Sequence, residues 1–184
     1  MEKQYIRILG FGSLLMGDDG IGVRIVQELE RRAPDIPCLK DVEIYDLGVC
    51  GLDMLPFLDD VENVIMVDAV KSGESIGSIL RFTGADLLEG REIGGLLSAH
   101  DITVPETLKI AEALQGLPNI IFIGISIRAP MNVYDFTTEL SPPVEKSFER
   151  AIDAVINEVE QLLESREKQL LESRENSENS GNSE

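Results

Sequence analysis

The chain of 184 residues has no tryptophan, one histidine (His100) and two cysteines, Cys38 and Cys50. Zinc sites built from paired histidines are therefore excluded. The two cysteines lack CxxC spacing, so free thiols are expected rather than a disulfide framework or a structural zinc site. Positive charge is also scarce. With 16 Lys+Arg against 34 Asp+Glu and a formal net charge of −18, the chain has no surplus of cations from which to build a face for nucleic acid or anionic lipid. No apolar run approaches the roughly 20 residues that span a bilayer. Met1-Glu-Lys-Gln-Tyr5 enters a strand without the apolar stretch of a signal peptide. These absences lead us to expect a cytoplasmic protein, monomeric by preference, with neither membrane nor nucleic acid among its partners.

The length suits one buried core, which we place in residues 1–165, followed by an acidic tail at 166–184. Tyr5–Gly10 is a short apolar run ended by glycines. From Ile21 to Arg32, the residues Ile21, Ile25, Val26 and Leu29 fall on one helical face. Val42–Asp46 reads as a second strand and Gly48–Gly51 as a turn into a short helix over Leu52–Leu58, which Pro56 should shorten or kink. Asn63–Val70 is apolar except for Asp68, the pattern of a strand covered on both faces. Ile79–Phe82 is a weaker strand, and Asn119–Ile127 is another core strand. Thr103-Val-Pro-Glu106 has capping-box spacing and predicts a helix to about Gln115. Ser141-Pro-Pro-Val opens a final helix that carries Phe148, Ile152, Val155, Ile156, Val159 and Leu163. Beyond it, the near-repeat Leu162-Leu-Glu-Ser-Arg-Glu and Leu170-Leu-Glu-Ser-Arg-Glu passes into Ser, Asn, Glu and Gly, a composition that predicts disorder. Alternating strands and helices indicate a three-layer α/β/α sandwich with a mainly parallel twisted sheet of about five strands.

In such sheets the functional crevice lies beyond the carboxyl ends of the strands. Asp19 follows the first strand, Asp68 ends the central one and His100 precedes a helix, so all three can meet there. Two carboxylates and one imidazole form a ligand set suited to a first-row divalent ion with open positions; nickel, zinc or cadmium would fit. A helix N-terminus beyond His100 would keep its ring neutral, as a ligand must be. Each residue also has an ordinary structural role open to it. Asp68 could cap a turn at the strand end. Asp18-Asp19-Gly20 could be an N-cap cluster for the helix at Ile21, with Asp18 the cap and Asp19 the ligand. His100 could be a surface group beside Asp101.

Gly10-Phe-Gly12 suggests a dinucleotide loop, but Leu15 stands where the third glycine belongs, and Asp18 and Asp19 would repel phosphate. No GxSxG elbow is present, and a Cys50–His100 pair is a weak alternative. Two aspartates sharing a proton would account for Asp19 and Asp68 and leave His100 without a task.

The run Gly10-Phe-Gly-Ser-Leu-Leu-Met-Gly-Asp-Asp-Gly-Ile-Gly22, with Asp46-Leu-Gly-Val-Cys-Gly-Leu52, Val67-Asp-Ala69, Ser98-Ala-His-Asp101 and Ser141-Pro142, resembles the hydrogenase maturation endopeptidases. These trim the C-terminal extension from the large subunit of nickel-iron hydrogenases. Ser13 replaces the family's usual asparagine, and Cys50 departs from its glycine-rich turn. The resemblance implies that Asp19, Asp68 and His100 are metal ligands, with Asp19 and Asp68 also catalytic candidates. It further implies that the metal is nickel carried by the large-subunit precursor, for which zinc or cadmium could substitute in a purified sample. A metal-independent aspartic-type peptidase, or a nickel-sensing adapter that binds the precursor without cutting it, would use the same carboxylates.

Overall fold

A computed structural model describes residues 3–89, 104–128 and 136–181, with side chains to 174. Five strands, β1 (Gln4–Phe11), β2 (Glu43–Gly48), β3 (Val61–Val70), β4 (Ile79–Thr83) and β5 (Asn119–Ser126), form one sheet in the order β2-β1-β3-β5-β4. β1 runs parallel to β2 and to β3, and β3 parallel to β5; only β4, at the edge, is antiparallel to its neighbour. The architecture is the expected three-layer sandwich.

Alternation along the strands divides the core. Ile6 and Ile8 of β1, Ile65 and Val67 of β3, and Ile121, Ile123 and Ile125 of β5 face one way. There they meet α1 (Ile21–Arg32) and the long C-terminal helix α5 (Phe148–Gly181). Leu9 and Phe11, Val64 and Met66, and Ile120 and Phe122 face the other way. They pack on α3 (Val104–Gln115), the five-residue α2 (Gly84–Leu88) and the 3-10 segment Leu52–Leu58 that contains Pro56. Ile21, Ile25, Val26 and Leu29 are all buried, as their helical spacing requires. Each fully buried Ile or Leu contributes about 1.5–3 kcal/mol, and these residues dominate the half under α1 and α5.

Several local expectations are corrected. α2 was not anticipated from the sequence. It begins at a capping box in which the Thr83 side chain accepts from the Asp86 N–H while the Asp86 carboxylate accepts from the Thr83 N–H. The Ser141 helix is not continuous with the last one: α4 (Pro142–Glu145) ends before α5 starts at Phe148. Ser141 makes no side-chain cap bond to that short helix. Backbone helix also continues to Gly181, through the segment whose composition suggested disorder. Leu, Glu, Lys and Arg are good helix formers, and extending a packed helix avoids the cost of nucleating a new one. Leu170 and Leu171, at 51% and 53% exposure, have no core to enter. Thr103 of the expected capping box lies outside the described residues, although α3 ends at Gln115 as the sequence predicts. Among the described residues, no helix is long and apolar enough to cross a membrane.

Candidate active site

The strand order turns outward in both directions from the β1/β3 pair, so the gap beyond their carboxyl ends is the topological switch point where open α/β sheets bind ligands. Asp19 and Asp68 come from the two elements that flank this gap. Asp19 sits in the 3-10 turn Gly17–Gly20 between β1 and α1, and Asp68 near the end of β3.

The turn reaches the gap by close backbone approaches. Gly12 has φ of +118°, and a Cβ there would lie 1.9 Å from the Asp19 carbonyl oxygen. Gly22, in the first turn of α1, would place a Cβ 2.3 Å from the Val67 oxygen and 2.5 Å from that of Phe11. The glycine-rich run thus lets turn and helix lie directly on the backbones of β1 and β3. This is the local reason a nucleotide fingerprint is incomplete here: its glycines serve protein packing.

Folding back in this way brings the Asp19 Oδ2 to the Ser13 N–H, at 2.8 Å. Asp68 Oδ1 accepts from the N–H of Ala69 at 2.7 Å. Neither aspartate of the pair at 18 and 19 caps α1, whose N-cap Gly20 has no side-chain bond. The N-cap reading of that cluster is corrected, because Asp18 points away, to Ser141. Its Oδ1 accepts the Ser141 N–H at 2.6 Å and its Oδ2 the Ser141 hydroxyl at 2.8 Å.

Burial pushes the Asp19 carboxyl above its usual range, opposed by the Ser13 N–H and the positive charge of Lys71. Asp68 is raised well above its usual range, mainly by burial and further by the negative charge of Asp19, against the Ala69 N–H. Burial thus opposes ionisation of both carboxyls, and a charge on Asp19 opposes that of Asp68 further. Cys50 stands close enough to feel the charges of Asp53 and Asp68, and with burial its thiol is pushed up to about 11. A protonated thiol is a poor nucleophile, which disfavours a Cys50-centred reaction.

His100 lies outside the described residues, so the structure brings together two of the three expected ligands. Among the described residues no group of three His, Cys, Asp or Glu side chains is placed to hold a metal ion. The sequence reading did not single out Lys71, three positions after Asp68 on the same chain segment. It read Ser141 as a helix cap and as part of the family resemblance, not as a partner of Asp18.

A family model described as hydrogenase maturation protease matches residues 23–158. The chain belongs to that family. The match takes in Asp68 and His100 and begins just after Asp19. Among curated relatives of this maturation protease, the putative hydrogenase maturation protease of Methanocaldococcus jannaschii is 30% identical, covering 86% of this chain and 99% of that protein. The hydrogenase expression/formation protein HupD of Bradyrhizobium diazoefficiens is also 30% identical, covering 83% and 76%. The hydrogenase maturating endopeptidase HybD of Escherichia coli shares the fold, with a TM-score of 0.69 at 24% identity over 85% of this chain and 93% of that one.

Proposed function

We propose that this maturation protease removes the C-terminal extension of a nickel-iron hydrogenase large-subunit precursor after nickel insertion, engaging the precursor's nickel with Asp19, Asp68 and His100. The observation that carries the reading is the meeting of Asp19 and Asp68 at the switch point, where burial and mutual repulsion oppose two negative charges. A divalent cation reverses that balance: it replaces the proton on Asp68 and stabilises both carboxylates at once. A precursor without nickel would press its peptide against the same carboxylates with no cation to offset their desolvation. The nickel belongs to the substrate and signals that it is ready to be cut. Nickel can polarise the scissile carbonyl, and a carboxylate of the pair can take the proton of the attacking water. Zinc or cadmium can occupy the same ligands in a purified sample.

The deciding experiment incubates purified protein with nickel-loaded and nickel-free precursor and follows the precursor's mass. Loss of a C-terminal peptide from the loaded form alone is expected. Binding of correctly loaded precursor with no change in mass would replace this reading with that of a non-cutting adapter.

The coupling of two buried carboxyls, Asp19 and Asp68, also favours a second reading, an aspartic-type peptidase whose carboxylates share a proton without metal. The two readings separate at His100. His100→Ala abolishes cleavage in the metal-directed mechanism and leaves it intact in the metal-independent one.

A further inference from the structure

Asp18 is the immediate neighbour of Asp19, yet its carboxylate goes to a different partner, a residue 123 positions away. It takes both donors of Ser141, the N–H at 2.6 Å and the hydroxyl at 2.8 Å. Two further bonds sew the same stretches together, Thr137 N–H to the Leu15 carbonyl at 3.0 Å and Gly17 N–H to the Thr137 carbonyl at 2.7 Å. The turn needs this support. It is four residues long, begins and ends in glycine, has Gly17 at φ +59° and carries no side-chain cap of its own.

We propose that Asp18 is a positioning residue for the reaction. By clamping Ser141 it fixes the rotation of the Gly17–Gly20 turn, and so holds the Asp19 carboxylate against the Ser13 N–H and toward Asp68. Both of its oxygens accept from Ser141, so its role is to hold the turn rather than to meet the substrate. The inference rests on the proposed use of Asp19 in cleavage, but the geometry it asserts can be read without any cleavage.

The test compares Asp18→Ala, Asp18→Asn and Ser141→Ala in the full chain, with Asp19→Ala as reference. The amide resonance of Ser13, which reports the bond to Asp19, is followed by NMR, and kcat and KM are measured on nickel-loaded precursor. Displacement of a reacting group by about 1 Å costs on the order of 100-fold. Asp18→Ala is therefore expected to lower kcat about 10- to 100-fold with KM within about twofold, and to move the Ser13 amide as Asp19→Ala does. Asp18→Asn keeps an oxygen for the Ser141 N–H and an amide for its Oγ, so it should retain most of the rate. Ser141→Ala loses one of two bonds and should fall between. A Ser13 amide and kcat unchanged in Asp18→Ala would overturn the proposal, as would a loss confined to thermal stability. If Asp18→Ala fails to fold, Ser141→Ala decides by the same two readouts. If the unmodified protein does not cut the precursor, the functional reading fails, and the Ser13 amide alone decides whether Asp18 positions Asp19.

Discussion

The Asp68 carboxyl lies deeper in the structure than that of Asp19 and is raised in pKa partly by the Asp19 charge, while Asp19 itself is moderated by Ser13 and Lys71. The two acids thus form a coupled pair, in which a charge on one makes the other harder to ionise.

The raised Asp68 carboxyl predicts a conflict between stability and activity at this position. A carboxyl with a raised folded-state pKa favours the native state below the pKa of the unfolded chain, and this advantage is lost as pH rises towards the folded value. Asp68→Asn removes the titration while keeping a similar shape. Its melting temperature should exceed that of the unmodified protein by a margin that grows from acid to neutral pH, at about 2–4 °C per kcal/mol for a chain of this size. Cleavage should be lost. Thermal melts at a series of pH values check the sign, and an asparagine variant less stable at neutral pH would contradict it.

Gly22→Ala tests whether the switch-point gap depends on direct contact between backbones. The new methyl would overlap the carbonyl oxygens of Val67 and Phe11, both main-chain atoms of the sheet. Relief requires α1 to move off β1 and β3. A loss of about 3 kcal/mol or more is expected, seen as a lower urea midpoint together with lost activity.

Arg81 of β4 binds Glu158 of α5 through both nitrogens of a fork, at 2.6 and 3.1 Å. The Glu158 side chain is only 10% exposed, whereas that of Arg81 is 48% exposed. Arg81→Ala strands a nearly buried carboxylate and should destabilise by about 1–3 kcal/mol. Replacing both residues with apolar side chains should recover part of that loss, as a double-mutant cycle in denaturant would show. Cleavage by the folded variants should be unchanged, since the pair lies outside the crevice.

The end of α5 should divide functionally near Arg166. The Tyr5 hydroxyl donates to the Leu162 carbonyl at 2.7 Å, and the Arg166 guanidinium lies 4.2 Å over the Tyr5 ring. Ending the chain at Lys168 keeps both contacts and should leave melting temperature and cleavage unaltered. Ending it at Gln161 removes both together with the packing of Leu162 and Leu163 on the core, and should cost more than the about 1–2 kcal/mol of the hydrogen bond and cation–π contact alone. Equal melting temperatures for the two truncations would show that these contacts contribute nothing.

The central strands and α1 were readable in the sequence because burial on two faces, or on one helical stripe, leaves an apolar pattern. The boundaries of α1 agree with the periodicity from Ile21 to Arg32. Asp19 and Asp68 were readable as candidates because both adjoin strand ends. The partner of Asp18 was not, because the choice between capping α1 and holding Ser141 is made by tertiary approach and no local spacing rule encodes it. α2 escaped notice for a different reason. It has too few residues for periodicity, although Thr83 and Asp86 carry its capping signal. The continuation of α5 past Leu163 went against composition, since polar helix formers extend an existing helix without needing a core.

The strand order also sets a schedule for synthesis. Among the described residues β4 pairs only with β5, so when Ile79–Thr83 leaves the ribosome that partner has yet to be made. Asp19 and Asp68 both emerge early, within the first three strands, but Ser141 follows β5. A nascent chain can therefore hold the two acids well before it can lock the turn that carries one of them, because that lock waits for a residue beyond β5.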